Sequence, residues 1–173
     1  MPAQKEEGMA ETPVVPQHHH DTATSTPDDL QIRTERSFDA PRAKVWRAFT
    51  DATTIARWWG SGYEVNVEPF ELKPGGHWRF VLHRGREQYG TGGEFREVKE
   101  PERPVLALEW SELPGLVADC TVAFEEIDGN RTRIVALTRY QSKEERGGML
   151  RAAVQPGLNG GYDALDEVLR KAA

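Results

Sequence analysis

Leu30, Ile32, Thr34, Arg36 and Phe38 alternate with Gln31, Arg33, Glu35 and Ser37, a two-residue period that predicts a first strand. Asp39-Ala40-Pro41 then reads as a helix start, with Asp39 as an N-cap candidate and the proline in the first turn. Val45, Ala48, Phe49 and Ala52 fall on one helical face, with Trp46 at its border. A second short helix, capped by Asp51, carries Ile55, Trp58 and Trp59 before Gly60-Ser61-Gly62 ends it.

From Tyr63 the period returns to two, and turn residues punctuate the chain at Pro74-Gly75-Gly76, Arg84-Gly85, Pro101 with Pro104, Pro114-Gly115 and Asp128-Gly129-Asn130. The strands between them, 63–71, 77–83, 88–98, 105–111, 116–127 and 131–140, make seven with the first, an antiparallel meander. Trp78, Phe80 and Leu82 share one face, as do Leu106, Leu108 and Trp110, and Cys120, Val122 and Phe124. The last strand is ambiguous, because Ile134 and Ala136 oppose an equally apolar Val135 and Leu137.

From Ser142 the pattern becomes helical. Leu150, Val154, Leu158, Tyr162, Leu165 and Leu169 form one stripe that crosses Pro156 in phase. A proline inside a helix removes a hydrogen bond, so a kink near 152–156 is expected rather than an end. Such a helix, at ~1.5 Å per residue, would be on the order of 40 Å long and could lie across the whole sheet. The fold class is therefore α+β: a curved seven-stranded sheet around a long, kinked C-terminal helix, with two short helices after the first strand.

One helix is only ~10–12 Å wide and cannot cover so broad a concave face. Gly147, Gly148, Gly157, Gly160 and Gly161 on the helix, and Gly90, Gly92 and Gly93 on the sheet, fill the space poorly. A cavity beneath the kink is the expectation, with the ~300 Å³ or more that ligand pockets offer. Its candidate lining is Trp58, Trp78, Phe80, Tyr89 and Trp110, joined by Phe124, Leu150, Val154, Leu158 and Tyr162.

Phe38-Asp39-Ala40-Pro41 with Val45-Trp46, Trp58-Trp59-Gly60, Pro74-Gly75-Gly76 before Trp78-Arg79-Phe80, Gly129 with Thr132, and the run from Gly157 to Leu169 carry a family resemblance. Taken in this order, they resemble the START-like, helix-grip (SRPBCC) superfamily, and within it the branch similar to the C-terminal domain of the activator of the heat-shock protein 90 ATPase. The likeness covers nearly all of 30–173. It implies the helix-grip fold and a hydrophobic ligand cavity. Gln155-Pro156 stands where an acidic pair is expected ahead of the final glycine region, a departure from the pattern.

Composition adds an N-terminal tail. Residues 1–29 hold four prolines, the run His18-His19-His20, no apolar period, and a net −5 of the chain's −6, so they are expected to be disordered ahead of a single domain over 30–173. The domain itself is nearly neutral, with no basic footprint for nucleic acid or anionic lipid. Three adjacent histidines make no fixed coordination site, and the single Cys120 excludes an internal disulfide and reads as a buried thiol. With no apolar run long enough to span a membrane and no signal-type segment, the expected location is cytoplasmic.

His77, His83, Glu109 and Asp119 lie on strands but opposite the inward sets, so solvation is expected for all four. Trp58 and Trp59 read first as wedges under the sheet edge. No serine-hydrolase elbow, metalloprotease helix, phosphate loop or dinucleotide fingerprint is present, and no catalytic residue, cofactor or metal is assigned. The leading reading is binding of a small lipophilic or aromatic molecule by a monomer or homodimer, with the kinked helix and adjoining loops controlling entry. A cyclase, dehydratase or hydrolase on an apolar or polyketide-like substrate is the rival reading. A stress-response co-chaperone stimulating the heat-shock protein 90 ATPase ranks last, because the eukaryotic co-chaperone carries a further folded domain that 29 residues could not supply.

Overall fold

The computed structural model describes residues 22–60, 62–151 and 154–171, apart from the side chains of 154–159. Its elements run β1 (Ala23–Ser25), β2 (Gln31–Phe38), α1 (Arg42–Thr50), α2 (Ala52–Trp58), β3 (Glu64–Phe70), β4 (His77–Arg84), β5 (Glu87–Lys99), β6 (Arg103–Trp110), β7 (Val117–Asp128), β8 (Arg131–Arg139), α3 (Lys143–Arg151) and α4 (Val154–Lys171). The strands form one antiparallel sheet in the order β1-β2-β8-β7-β6-β5-β4-β3. The fold class is the expected α+β helix grip, with eight strands in place of seven. The extra strand, β1, lies inside the segment expected to be disordered: Ala23, Thr24 and Ser25 pair with Glu35, Thr34 and Arg33. Residues 1–21 of that tail lie outside the described residues.

Alternation places the core. On β2, Ile32, Thr34, Arg36 and Phe38 are buried and the residues between them are not. Register resolves the last strand: Ile134 lies between Arg36 and Phe124, and Ala136 between Thr34 and Val122, so this set points inward and Val135 and Leu137 take the outer face. Thr132 sits in the same inward row and donates from Oγ1 to the carbonyl of Ala40 at 2.8 Å, tying the β2–α1 turn to the sheet.

The cap expected at Asp39 is shifted. Pro41 occupies the N-cap position of α1 without a side-chain hydrogen bond, since a proline ring offers none. Asp51 caps α2 as expected, accepting from Thr54 N at 2.9 Å and Thr54 Oγ1 at 2.5 Å; these bonds hold its carboxyl below the ordinary carboxylate range. Gly60, at φ +59°, follows α2, and a Cβ there would stand 2.3 Å from Leu82 Cδ2.

The C-terminal segment is described as two helices. Residues 152–153, where the kink was expected, lie outside the described residues. Pro156 falls in the first turn of α4, where the amide it lacks would have no intrahelical partner. α3 is capped by Ser142 and Glu145: Glu145 N donates to Ser142 Oγ at 3.1 Å, and Gln141 N to Glu145 Oε2 at 3.1 Å.

α4 is clamped to the sheet by charge as well as by packing. Arg36, on the inward face of β2, reaches Asp166 Oδ2 at 2.5 Å and Asp163 Oδ1 at 2.7 Å, one helical turn apart on α4. Arg36 and Asp166 are both buried, and Asp163 is exposed. The far end of α4 is held by Lys44 of α1, whose Nζ donates to the carbonyl of Leu169 at 2.7 Å. Among the described residues, no helix is long and apolar enough to cross a membrane.

Candidate functional site

Between the concave face and the helices lies a cavity of about 250 Å³. Its floor is read from the strand register. One inward row runs Ile32, Thr138, Cys120, Leu106 and Phe95 across β2, β8, β7, β6 and β5. Beside it Trp78 of β4 pairs with Gly93 of β5, and Phe80 with Thr91. The helices supply Phe49 and Thr50 from α1, Ile55 and Trp58 from α2, Met149 from α3 and Tyr162 from α4.

The cavity is smaller than the expected ~300 Å³, because aromatic rings occupy the flanks that one helix leaves uncovered. Trp59 meets Phe80 at 5.2 Å between ring centroids, Trp78 meets Phe80 at 4.9 Å, and Phe70 packs edge-on against Phe95 at 5.6 Å. The sheet glycines open no void either. A Cβ on Gly93 would stand 2.0 Å from the carbonyl of Ala107 and 3.4 Å from Trp78 Nε1, so this glycine admits a close strand and the Trp78 indole.

Of the residues expected to line a pocket, Trp58, Trp78, Phe80, Trp110, Phe124 and Tyr162 line the cavity. Tyr89 does not: it shares the inward parity of Thr91 but lies beyond the covered part of the sheet, 41% exposed and edge-on against Tyr63. Leu150 does not either. It is 39% exposed, and its neighbour Met149 turns inward, because α3 presents its own face rather than continuing the stripe of α4. The side chains of Val154 and Leu158 lie outside the described residues. Trp58 donates from Nε1 to the carbonyl of Ala48 at 2.9 Å, tying α2 to α1.

Sequence reasoning missed Thr50 of α1 and, on the sheet side, the polar lining members Thr34, Cys120, Thr138 and Tyr140. The inward parity of the sheet-side four was the available signal. Cys120 is buried, and desolvation pushes its thiol up to about 11 despite a 3.5 Å contact from Thr138 Oγ1. Burial likewise pushes Tyr140 up to about 12 and raises Tyr162 further, with the nearby Cys120 adding to both. All three are neutral at ordinary pH. His77, His83, Glu109 and Asp119 stand on the outer face, where Asp119 pairs with Arg96 at 2.9 Å. The described lining contains no carboxylate, imidazole or amine, and among the described residues no three His, Cys, Asp or Glu side chains converge as a metal site.

Solved structures share this fold at low identity. A Rhodobacter sphaeroides protein superposes with a TM-score of 0.80 at 19% identity, covering 88% of this chain and 100% of the other. Protein Ms6760 of Mycobacterium smegmatis gives 0.78 at 23% identity, covering 88% and 98%. DynU16, a protein in the dynemicin biosynthetic locus, gives 0.66 at 19% identity, with 84% of this chain matching 49% of that one. No curated protein sequence matches. The model of one family, the Activator of Hsp90 ATPase homolog 1-like protein, matches residues 39–170, about three quarters of the sequence, and the chain belongs to that family.

Proposed function

We propose that this protein binds a small, largely aromatic or lipophilic molecule in the cavity between its sheet and its C-terminal helices. The observation that carries the reading is the cavity itself: about 250 Å³ walled by aromatic and aliphatic side chains. A dry apolar cavity of ~150 Å³ accepts benzene, so this one suits a molecule of about two fused rings or a short branched chain. Drug-sized ligands, which need ~300 Å³ or more, are too large.

Binding is favoured over catalysis by the lining. Acid–base chemistry at neutral pH needs a group that titrates near 7, and every ionisable group of the described lining has been moved away from neutrality. The origin of DynU16 in a biosynthetic locus is in keeping with a fold that handles small organic molecules.

Naphthalene is the test ligand. Saturating naphthalene raises the melting temperature of the wild type, and native mass spectrometry shows one bound molecule. Ala136→Phe, which extends a ring from the cavity floor, abolishes both effects while leaving the far-ultraviolet dichroism unchanged. A wild type indifferent to naphthalene, or a filled variant that still binds it, would overturn the reading.

A further inference from the structure

Trp58 and Trp78 both line the cavity and both are buried, but their indole nitrogens differ. Trp58 Nε1 donates to the carbonyl of Ala48 at 2.9 Å. Trp78 Nε1 is buried without any hydrogen-bond partner. Among the described residues Thr22 Oγ1, Arg36 Nε and Arg146 Nε share that condition, yet only Trp78 belongs to the cavity lining.

The strand register explains the missing acceptor. Trp78 of β4 lies between Phe70 of β3 and Gly93 of β5, so on one side the indole meets a ring and on the other bare backbone. A Cβ on Gly93 would stand 3.4 Å from Nε1. Phe80, Phe95, Leu106 and Leu108, the lining side chains of the adjoining inward positions, hold no acceptor. Thr91 turns its hydroxyl to the carbonyl of Glu109 at 3.0 Å. The carbonyl of Ala107 approaches Gly93, 2.0 Å from the same Cβ position, but takes no bond from the indole.

An indole nitrogen can only donate, and a buried donor without an acceptor is costly and rare in native proteins. Water is a poor remedy here, because a buried water needs about two to four polar partners and the side chains around Trp78 add none to its own. We infer that the ligand of this cavity is an uncharged molecule with a hydrogen-bond acceptor, a ring nitrogen or a carbonyl oxygen, on the part seated against β4, and that Trp78 Nε1 donates to it. Since Nε1 is buried in the wall, the indole turns towards the cavity as the acceptor arrives. This rests on the binding reading above and deepens it. An anionic acceptor does not fit: the described lining holds no cation, and one neutral donor does not replace the hydration of a carboxylate.

Naphthalene and quinoline share one shape and differ by a single ring atom, a CH against an acceptor nitrogen; isoquinoline moves that nitrogen by one position. Both heterocycles are neutral at pH 7, and 1-naphthoate supplies the anion. Each is titrated calorimetrically into the full chain. Trp78→Phe removes ring contacts from every ligand, so the readout is the ratio of affinities: the better heterocycle falls about fivefold relative to naphthalene, as the loss of one ordinary hydrogen bond requires. In Trp58→Phe, whose indole already has a partner, the ratio stays within about twofold. Naphthoate binds the wild type at least about tenfold more weakly than naphthalene. A second measurement needs no variant: in isotope-labelled wild type the indole N–H proton of Trp78, identified through its proximity to Gly93, moves downfield with the better heterocycle and not with naphthalene. If naphthalene fails to bind the wild type, the binding reading itself falls. If naphthalene binds but the ratio is unchanged in Trp78→Phe, falls equally in Trp58→Phe, naphthoate matches naphthalene, or the Trp78 proton responds alike to naphthalene and the heterocycles, only the present inference is overturned.

Discussion

Where α4 crosses β2, β8 and β7, the interior is complete: Leu165 and Ile134 have no exposed surface, Phe38 meets Tyr162 edge-on at 5.5 Å, and Trp46 meets Phe124 at 5.0 Å. The buried Arg36–Asp166 pair adds direction to that packing, because an arginine fork fixes the turn of helix it can reach. At the other end α3 buries one residue, Met149, and carries Gly147 and Gly148. Its holds are polar and peripheral: the Ser142 and Glu145 cap, and Arg146 Nη1 donating to the carbonyl of Asp28 at 2.8 Å. Both ends cover the same sheet, but one is fastened by core packing and the other by surface hydrogen bonds. Met149 of the weaker cover lines the cavity, and a cover that opens locally would suit the proposed entry of a ligand.

The largest test of this contrast is a pair of truncations. Leu165→Ala should cost about 4 kcal/mol, since a wholly buried leucine leaves a new void in a packed region. Met149→Ala should cost about 1–2 kcal/mol, because part of that side chain faces a space already empty and loses fewer contacts. Urea unfolding with unchanged m-values reads both. Equal losses would mean that the two covers contribute alike.

Much of this arrangement was legible in the sequence, for an identifiable reason. A sheet with one buried face writes its register into the chain, so Trp78 and Phe80, or Cys120 and Phe124, announce their side by parity alone. Parity failed where it was symmetric, at Ile134 to Leu137, and only pairing with Arg36 and Phe124 decides the face. It was blind to β1, whose three residues Ala23, Thr24 and Ser25 are too short and too polar to show a period. The site was half legible. Aromatic members were found, but threonine on a strand reads as a strand former before it reads as a hydroxyl, so Thr34 and Thr138 went unremarked. Parity also says nothing of how far the cover extends, which is why Tyr89 was placed inside and lies outside.

Between the two ends sits Cys120, and its titration measures how dry the cavity is. The thiol is raised from 9.0 to about 11 in the folded protein, so the native state keeps its proton after the unfolded chain has lost its own. The stabilisation is therefore whole below pH 9 and lost as the pH rises from 9 towards 11, by about 2 kcal/mol. Stability curves for wild type and Cys120→Ala should be parallel up to pH 8.5 and converge above it. A water-filled cavity would solvate the thiolate and keep the two curves parallel throughout.

The smallest expected effect bears on the weaker cover alone. A Cβ on Gly148 would meet nothing within 4 Å, and its backbone carries no positive φ, so Gly148→Ala changes only the helical preference of α3. That substitution is worth about 0.5–1 kcal/mol in a helix interior. If α3 opens separately from α4, the gain should appear as about two- to fivefold slower hydrogen exchange of the α3 amides, with α4 amides unaltered. If instead protection rises equally in both helices, they open as one unit, and the contrast between a packed and a loosely held cover would not hold in solution.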